Sequence, residues 1–521
     1  MGRESVKERN ASTLYRVLAV LFSAFIALMF GNTLFANITL SPRFETGRML
    51  IFLGFAACAL LLLALCIRLI PQTALCILAA LACLCVFVLQ IWFTRATYTL
   101  YGWDCGSIVL GAGELQDGWL RVPTYFAQYP NNEALLLFFE RVFSLSHAAG
   151  ITNDPLIASL VAVLLTDTAI ALGFLCARRL LSREGAYLYL ALSAFMVGMN
   201  MWAQVPYTDT CGMFFPPLLL YLWLRVRSSS RRSFRLVLCC LMGFLSLLAM
   251  KTKPQGLILS IAVVLIEMTA NPFSRASVSR LARGGACALC GFLAASALFT
   301  AYRDAKLSPY ITPEMRERYQ FPVTQQLMMG AEKRKVQGGL FSYGAWDSED
   351  VSSTAALPTL KERTVYTLGE YVQRVKDFGL PGYLRFLYEK SCWIYADGTF
   401  FYGAIDGFRY TGKPPVRTKL SRVFQSIAYE DLPGYQKNFA YFAQGFWLLT
   451  LALCVVSLWG KESHARAFAV VRLALLGLTL SILLFEGRSR YLLLYLPLFT
   501  LIAAKGAETL YAAALRRKHS V

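Results

Sequence analysis

The sequence predicts an all-α polytopic membrane protein with about twelve transmembrane helices, and three observations support this fold class. Hydrophobic residues make up 57% of the 521 residues, and the mean hydropathy is +0.50, values typical of membrane proteins and not of soluble domains. Apolar stretches of spanning length recur along the chain. Lys and Arg are concentrated in alternate gaps between these stretches, as they are in cytoplasmic loops.

The apolar stretches divide into long and short ones. The long stretches, each sufficient to cross a bilayer, cover residues 14–38, 48–70, 72–95, 155–177, 185–204, 284–302, 438–459, 466–485 and 490–511. The short stretches cover residues 205–224, 236–250 and 255–270. The last two are divided by "MKTKPQG", and counting them as two crossings keeps all the basic gaps on one side of the membrane.

The basic gaps predict a plasma-membrane protein with both termini in the cytoplasm. Arg3, Lys7 and Arg9 precede the first stretch, which is too long for a signal-peptide core and is interpreted as an uncleaved anchor. The other basic gaps include "ARRLLSRE", "RVRSSSRRSFR", "NPFSRASVSRLARGG", "GKESHARA" and the tail "RRKHSV". The formal net charge of +20 is therefore explained by membrane orientation, and we expect no nucleic-acid partner.

The longer polar segments are predicted on the extracytoplasmic side. Residues 1–302 form an N-terminal transmembrane module whose first large external loop, 96–154, carries the predicted catalytic residue. Residues 303–437 form an extracytoplasmic domain of mixed structure between spans nine and ten, with helix-like stretches broken near Gly379. Residues 438–521 contain the C-terminal transmembrane helices.

The first external loop places a carboxylate at the edge of the membrane. Asp104 follows the third span and is flanked by Tyr101 and Trp103, which suit the interface between lipid and water. Two helices along the membrane surface are predicted after it, the second with Asn131 as N-cap and Glu133 in its first turn. Asp104, partly shielded from water, could act as a general base. The alternative is that Asp104 only caps the following helix.

Three further external turns carry charged residues next to apolar stretches. They are Tyr207 and Asp209 in "YTD", Lys251 and Lys253 in "MKTKPQG", and Arg488 and Arg490 in "FEGRSRY". Cations are disfavoured in extracytoplasmic turns, so the presence of these Lys and Arg residues requires an explanation. An anionic ligand such as a lipid phosphate would provide one, because Lys and Arg bind phosphate through charge-assisted hydrogen bonds. The alternative is that the side chains extend to lipid headgroups.

These motifs, in this order and on this side, resemble the C-type membrane glycosyltransferases. The resemblance covers residues 96–500 and includes the loop aspartate, "YFAQYPNN", "PYTD", "KTKP", "FPVTQQLMMG", "YEKSCWIYADGTF" and "RSRYLLLYLP". It is nearest to the protein O-mannosyltransferase and aminoarabinose transferase group, related to glycosyltransferase family 39, in its Gram-positive bacterial form. Two positions depart from that pattern: Cys105 stands where a second acid is common, and Gln325 or Gln326 where a His is expected.

The resemblance implies a donor, a base and a binding site. The donor is a sugar on a polyprenyl phosphate, and the acceptor is a cell-envelope glycan, a lipid or a protein. Asp104 is the implied catalytic base of an inverting transfer. Substrate binding is expected at Asp209, Tyr207, Lys251, Lys253, Arg488, Arg490, Tyr129, Asn131 and Asn132. Membrane lipids are expected partners, no cofactor or metal ligand is identified, and a divalent metal ion is left open.

Two other functions are consistent with about twelve spans. A polysaccharide ligase or polymerase also has a large external loop late in the chain, but such proteins use external His and Arg. The three histidines of this chain, His147, His464 and His519, all lie outside 303–437. A secondary transporter commonly shows two related halves, and no internal repeat is visible. The absence of a G-x-x-x-x-G-K-[ST] motif disfavours a nucleotide-driven pump.

Overall fold

The computed structural model describes residues 6–36, 44–270, 275–335, 341–402, 412–429 and 438–518. Arg3 and parts of the predicted domain 303–437 lie outside the described residues, as do the side chains of Lys7, Arg9 and the tail 516–521. The described chain is almost entirely helical, with one two-stranded antiparallel sheet. The all-α polytopic membrane fold is therefore confirmed.

The helices and strands are numbered in chain order. The first half contains α1 (Val6–Gly31), α2 (Thr46–Leu69), α3 (Gln72–Thr97), α4 (Trp103–Gln116), α5 (Pro123–Gln128), α6 (Glu133–Ala148), α7 (Asp154–Leu180), α8 (Arg183–Ser193), α9 (Thr208–Cys211), α10 (Phe215–Ser228), α11 (Arg232–Thr252) and α12 (Ile258–Ala270). The second half contains α13 (Arg275–Leu307), α14 (Pro313–Tyr319), α15 (Val323–Gly330), β1 (Lys333–Lys335), β2 (Phe341–Tyr343), α16 (Ser348–Ala356), α17 (Leu360–Tyr395), α18 (Lys419–Ala428), α19 (Ala440–Val456), α20 (Arg466–Leu484) and α21 (Leu496–Lys518).

Within the described residues, nine helical stretches are long and apolar enough to cross a membrane. They lie in α1, α2, α3, α7, α11, α13, α19 and α20 and in Ser489–Ala514, which includes most of α21. The stretch Ser489–Ala514 is the centre of the bundle, because 89% of its apolar window is buried, against 11% for α3. Side chains of α3 are therefore free to face lipid.

Three of the twelve predicted spans are shorter helices in the structure. The predicted span 185–204 is divided into α8, a π-helical turn at Ala194–Gly198 and a 3₁₀ turn at Met201–Gln204. The predicted span 205–224 is reduced to α9 and α10, and 255–270 is a shorter apolar helix. Buried polar contacts stabilise the first break: Thr97 donates to the Gln204 side chain (2.9 Å) and the Trp202 indole donates to the Thr399 carbonyl (3.2 Å). A break in a helix frees backbone groups that a continuous helix would pair internally. Polar contacts of this kind supply hydrogen-bond partners where the helix is interrupted.

The described part of the segment after α13 packs against the ends of the spans. Lys390 of α17 is fully buried, and its ammonium donates to the carbonyls of Gly330 (2.8 Å), Leu483 (3.0 Å) and Phe485 (2.7 Å). The last two carbonyls lie at the C-terminus of α20, where a cation is electrostatically favoured. The predicted break in α17 is present at Gly379, whose φ of 61° suits glycine.

Candidate functional site

The first part of the site is Asp104, which lies half-buried in the first turn of α4. Gly102 occupies the N-cap position, and Asp104 makes no capping hydrogen bond there. Its carboxylate instead accepts a hydrogen bond from the Tyr125 hydroxyl at 2.5 Å and another from the Tyr207 hydroxyl at 2.5 Å. Trp103 immediately before it has a φ of 59°, an unfavourable backbone conformation for a bulky residue. The local backbone is thus strained where the carboxylate is presented.

The "YFAQYPNN" segment supports Asp104 from the side of the first loop. The Asn132 amide donates to the Tyr125 hydroxyl (2.8 Å), and the Asn131 amide donates to the Asn132 side chain (3.1 Å). Asn132, not Asn131 as predicted, directly precedes α6, because Pro130–Asn132 form a 3₁₀ turn. The Tyr129 ring lies 5.3 Å from that of Tyr125. Burial, with a contribution from Asp104, raises the pKa of Tyr129 to about 12, so its hydroxyl is neutral at pH 7.

The second part of the site is Asp209, which is fully buried in α9. Its two carboxylate oxygens form ion pairs with Lys253, at the end of α11, and with Arg490. Lys253 and Arg490 are themselves 7% and 8% exposed, so both point into the protein and do not extend to lipid headgroups. Burial lowers the pKa of Lys253 to about 8, and the charge of Asp209 opposes that shift.

Tyr207 connects the two parts. Its hydroxyl contacts Asp104, while its ring lies 4.6 Å from the guanidinium of Arg490. The ring of Tyr491 lies 4.9 Å from the same guanidinium and 3.6 Å from the ammonium of Lys253. Burial and the charge of Asp104 raise the pKa of Tyr207 well above its ordinary value, so it donates a proton in its hydrogen bond without losing it.

Arg488 lies beside this cluster and is paired differently. Its Nε lies 4.0 Å from Glu486, whose carboxylate also accepts from the Tyr491 hydroxyl (3.0 Å). Burial lowers the pKa of Arg488 below its ordinary value. The backbone N–H of Glu486 donates to the Gln326 carbonyl (2.7 Å), and that of Gly487 donates to the Gly344 carbonyl (2.8 Å). The segment after α13 therefore positions the turn that carries Arg488 and Arg490.

The structure does not bring Lys251 to Asp209. Its ammonium lies 5.3 Å from the ring of Phe299 in α13. Burial raises the pKa of Glu133 by more than the charge of Lys251 lowers it, and the ion pair of Glu133 is with Arg316 (2.7 Å). Because Lys251 and Lys253 are two residues apart at a helix end, their side chains leave the backbone in different directions.

Several residues of the site were not predicted from the sequence. Tyr125 lies four residues before Tyr129 in the same motif, and this helical spacing is a signal that could have identified it. Glu486 is part of the quoted "FEGRSRY" turn. The ring of Phe321, the first residue of "FPVTQQLMMG", lies 5.4 Å from the Tyr129 ring, and the Trp346 side chain is also a neighbour of Tyr129. Trp346 had no signal in the sequence.

The described residues also bear on metal and disulfide chemistry. Among the described residues, no group of three or more His, Cys, Asp or Glu side chains could hold a metal ion. Cys105, Cys211 and Cys392 are each buried and free. Gln325 is buried and accepts a hydrogen bond from Thr354 (2.6 Å) in the interior of the segment.

The helical bundle, with charged residues gathered where several spans end, defines a polytopic integral membrane protein. A family model described as "Conserved hypothetical integral membrane protein" matches residues 7–510, and the chain belongs to this family. No curated protein matches significantly. Among solved structures, the chain is similar to ArnT from Cupriavidus metallidurans bound to undecaprenyl phosphate, with 13% identity, a TM-score of 0.33, and coverage of 85% of this chain and 79% of that chain.

Proposed function

We propose that this protein is a membrane glycosyltransferase that moves a sugar from a polyprenyl phosphate to an extracytoplasmic acceptor. The acceptor would be a cell-wall polymer, a lipid or a protein. One observation carries the proposal: Tyr207 links Asp104, which among the described residues accepts hydrogen bonds from neutral hydroxyls and forms no ion pair, to a buried cation cluster, Lys253 and Arg490. A base beside an anion-binding group is what a transfer from a phosphate requires.

The chemistry of Asp104 supports its assignment as the base. In the described residues it forms hydrogen bonds with two phenols and no ion pair, so no contacting cation compensates its charge. Asp104 would take the proton of the acceptor hydroxyl as the acceptor oxygen bonds to the anomeric carbon. The bond from that carbon to the phosphate oxygen breaks, and its electron pair leaves with the polyprenyl phosphate. A single displacement inverts the anomeric centre.

The cations supply the other half of the reaction. Arg490 uses one terminal nitrogen on Asp209, whereas its buried Nε has no hydrogen-bond partner in the described residues. A phosphate oxygen would satisfy this donor through a charge-assisted bond. Arg488, 4.0 Å from Glu486, provides a second guanidinium in the same turn. Together they would stabilise the charge that develops on the departing phosphate.

Transfer assays with the purified protein test the proposal. The protein is incubated with undecaprenyl phosphate carrying mannose, glucose or aminoarabinose, together with a cell-envelope extract as acceptor. We expect release of undecaprenyl phosphate with at least one donor, dependent on Asp104. Binding of every donor with release from none would contradict the proposal and favour a carrier or a receptor.

A labelling experiment tests the proposed orientation, with the termini in the cytoplasm and the site outside the plasma membrane. Ser348→Cys and Ser146→Cys place thiols on α16 and α6, in the segment after α13 and in the first external loop. Both variants should react with a membrane-impermeant thiol reagent in intact cells, with the parent as the blank. Labelling of one variant without the other would contradict a shared extracytoplasmic site.

A further inference from the structure

Trp346 lies between two fixed residues of the segment after α13. On one side, the Gly344 carbonyl accepts from the N–H of Gly487 (2.8 Å), next to Arg488. On the other side, the Asp347 carboxylate caps α16 by accepting from the N–H of Glu349 (2.9 Å), and it pairs with Arg334. The backbone at Trp346 is therefore held in place, while its side chain is 48% exposed.

The indole of Trp346 reaches the first external loop. This side chain lies beside Tyr129, whose ring is 5.3 Å from that of Tyr125, the phenol that donates to Asp104. Phe321 packs against the same tyrosine: its ring lies 5.4 Å from that of Tyr129, and its N–H donates to the Gln128 carbonyl (3.1 Å). Trp346 is thus two residues from Gly344, which contacts the turn that carries Arg488 and Arg490, and its side chain neighbours Tyr129 of the first external loop.

The position of Trp346 corresponds to the place that the donor sugar ring takes in the proposed reaction. The anomeric carbon must lie between the base that activates the acceptor and the cations that bind the phosphate, so the donor sugar ring occupies the space between them. A large aromatic side chain left half-exposed there offers an apolar face to the C–H groups of a sugar ring and a polar N–H to its hydroxyls. The acceptor approaches from the opposite side of the anomeric carbon in an inverting displacement.

We propose that Trp346, together with the ring of Tyr129, forms the binding subsite for the sugar ring of the donor. This inference rests on the proposed function, because it takes the positions of base and phosphate from it. It assigns a role that the cations do not have: Trp346 contributes to binding of the sugar, whereas Lys253, Arg488 and Arg490 contribute to binding of the phosphate.

Comparing the affinity for a sugar-bearing ligand with the affinity for a sugar-free ligand separates these roles. Trp346→Ala should weaken binding of the undecaprenyl phosphate sugar that the parent uses by about tenfold, and leave binding of undecaprenyl phosphate unchanged. Trp346→Phe, which keeps a ring without the N–H, should lie between the parent and Trp346→Ala. Trp459→Ala is the matched control, because Trp459 is also exposed (69%) but lies between α19 and α20, away from Asp104.

Each other outcome has a definite meaning. Equal weakening of both ligands would overturn the inference and indicate a general structural role, and an effect confined to the acceptor KM would assign Trp346 to the acceptor. No change in any variant would also overturn it, while the proposed function would stand if Asp104→Asn still abolished transfer. If the parent bound sugar-bearing donors through Trp346 but never transferred the sugar, the subsite would stand and the transferase proposal would fall.

Discussion

Asp104 and Asp209 contact neighbouring groups of one site, but their surroundings differ in charge. Asp104 is half-buried and accepts hydrogen bonds from two neutral phenols, Tyr125 and Tyr207. Asp209 is fully buried and forms ion pairs with Lys253 and Arg490. Both oxygens of each carboxylate are occupied, so the number of contacts does not distinguish them. The charge of the partners does.

This difference separates two tasks that a carboxylate can perform. A general base needs a negative charge that an incoming proton can neutralise, and Asp104 has no contacting cation among the described residues that would be left behind when it does so. Protonation of Asp209 would leave two buried cations without a counter-charge, which is energetically costly. We therefore assign proton transfer to Asp104 and the holding of cations to Asp209. Four predictions test this division.

The largest effect is expected for Asp209→Asn, and it should be on stability. Removing the charge leaves Lys253 and Arg490 buried and unpaired, so the free energy of unfolding should fall by about 3–5 kcal/mol. Denaturant unfolding of the purified protein in detergent measures this. A variant as stable as the parent would show that solvent or lipid already compensates the two cations, and would remove the contrast with Asp104.

Asp104→Asn should affect catalysis and leave stability nearly unchanged. The amide keeps the size of the carboxylate but accepts no proton, so kcat should fall by about 100-fold or more, with donor binding retained. Glu114→Gln, further along α4, and Asp117→Asn, at its C-terminal end, serve as controls and should retain activity, because Glu114 pairs with Arg121, which is not part of the site, and Asp117 is exposed. Near-parental turnover by Asp104→Asn in a donor-saturated assay would transfer the role of base to Asp209.

Arg490→Ala should weaken use of the donor more than use of the acceptor. A lost charge-assisted contact to phosphate corresponds to about a tenfold or larger increase in the donor KM. Arg490→Lys should restore only part of the loss, because Lys lacks the planar pair of donors. Arg488→Ala should act in the same direction. If donor and acceptor KM rose equally in these variants, the arginines would be structural and the cation cluster would not be a phosphate site.

The smallest effect concerns pH. Because burial lowers the pKa of Lys253 to about 8, its positive charge should be lost as the pH rises through 8, whereas an exposed lysine stays charged to about pH 10. The value of kcat/KM for the donor should therefore fall to about half near pH 8, and it should continue to fall at higher pH. Lys253→Met should be less active at pH 7 and lack this alkaline decrease. An unchanged decrease in the variant would assign it to another group.

The sequence by itself determined the membrane fold and most of the residue types in the site. Eight of the nine long apolar stretches coincide with helices of spanning length, because about twenty apolar residues suffice to satisfy the backbone within a bilayer, whatever surrounds them. Asp104, Asp209, Lys253 and Arg490 were predicted as site residues because charge next to an apolar stretch is costly and therefore visible locally.

Only the tertiary structure decided which of these residues meet. Asp209 and Arg490 are 281 residues apart in the chain, and no local pattern states that they pair, or that Lys253 joins them while Lys251 faces Phe299. The break of the predicted span 185–204 and the approach of Trp346 to Tyr129 are likewise consequences of packing between distant segments. Hydropathy is a property of a short window, whereas an ion pair or a stacked ring depends on where two separate helices end, and that is fixed only when the whole bundle has assembled.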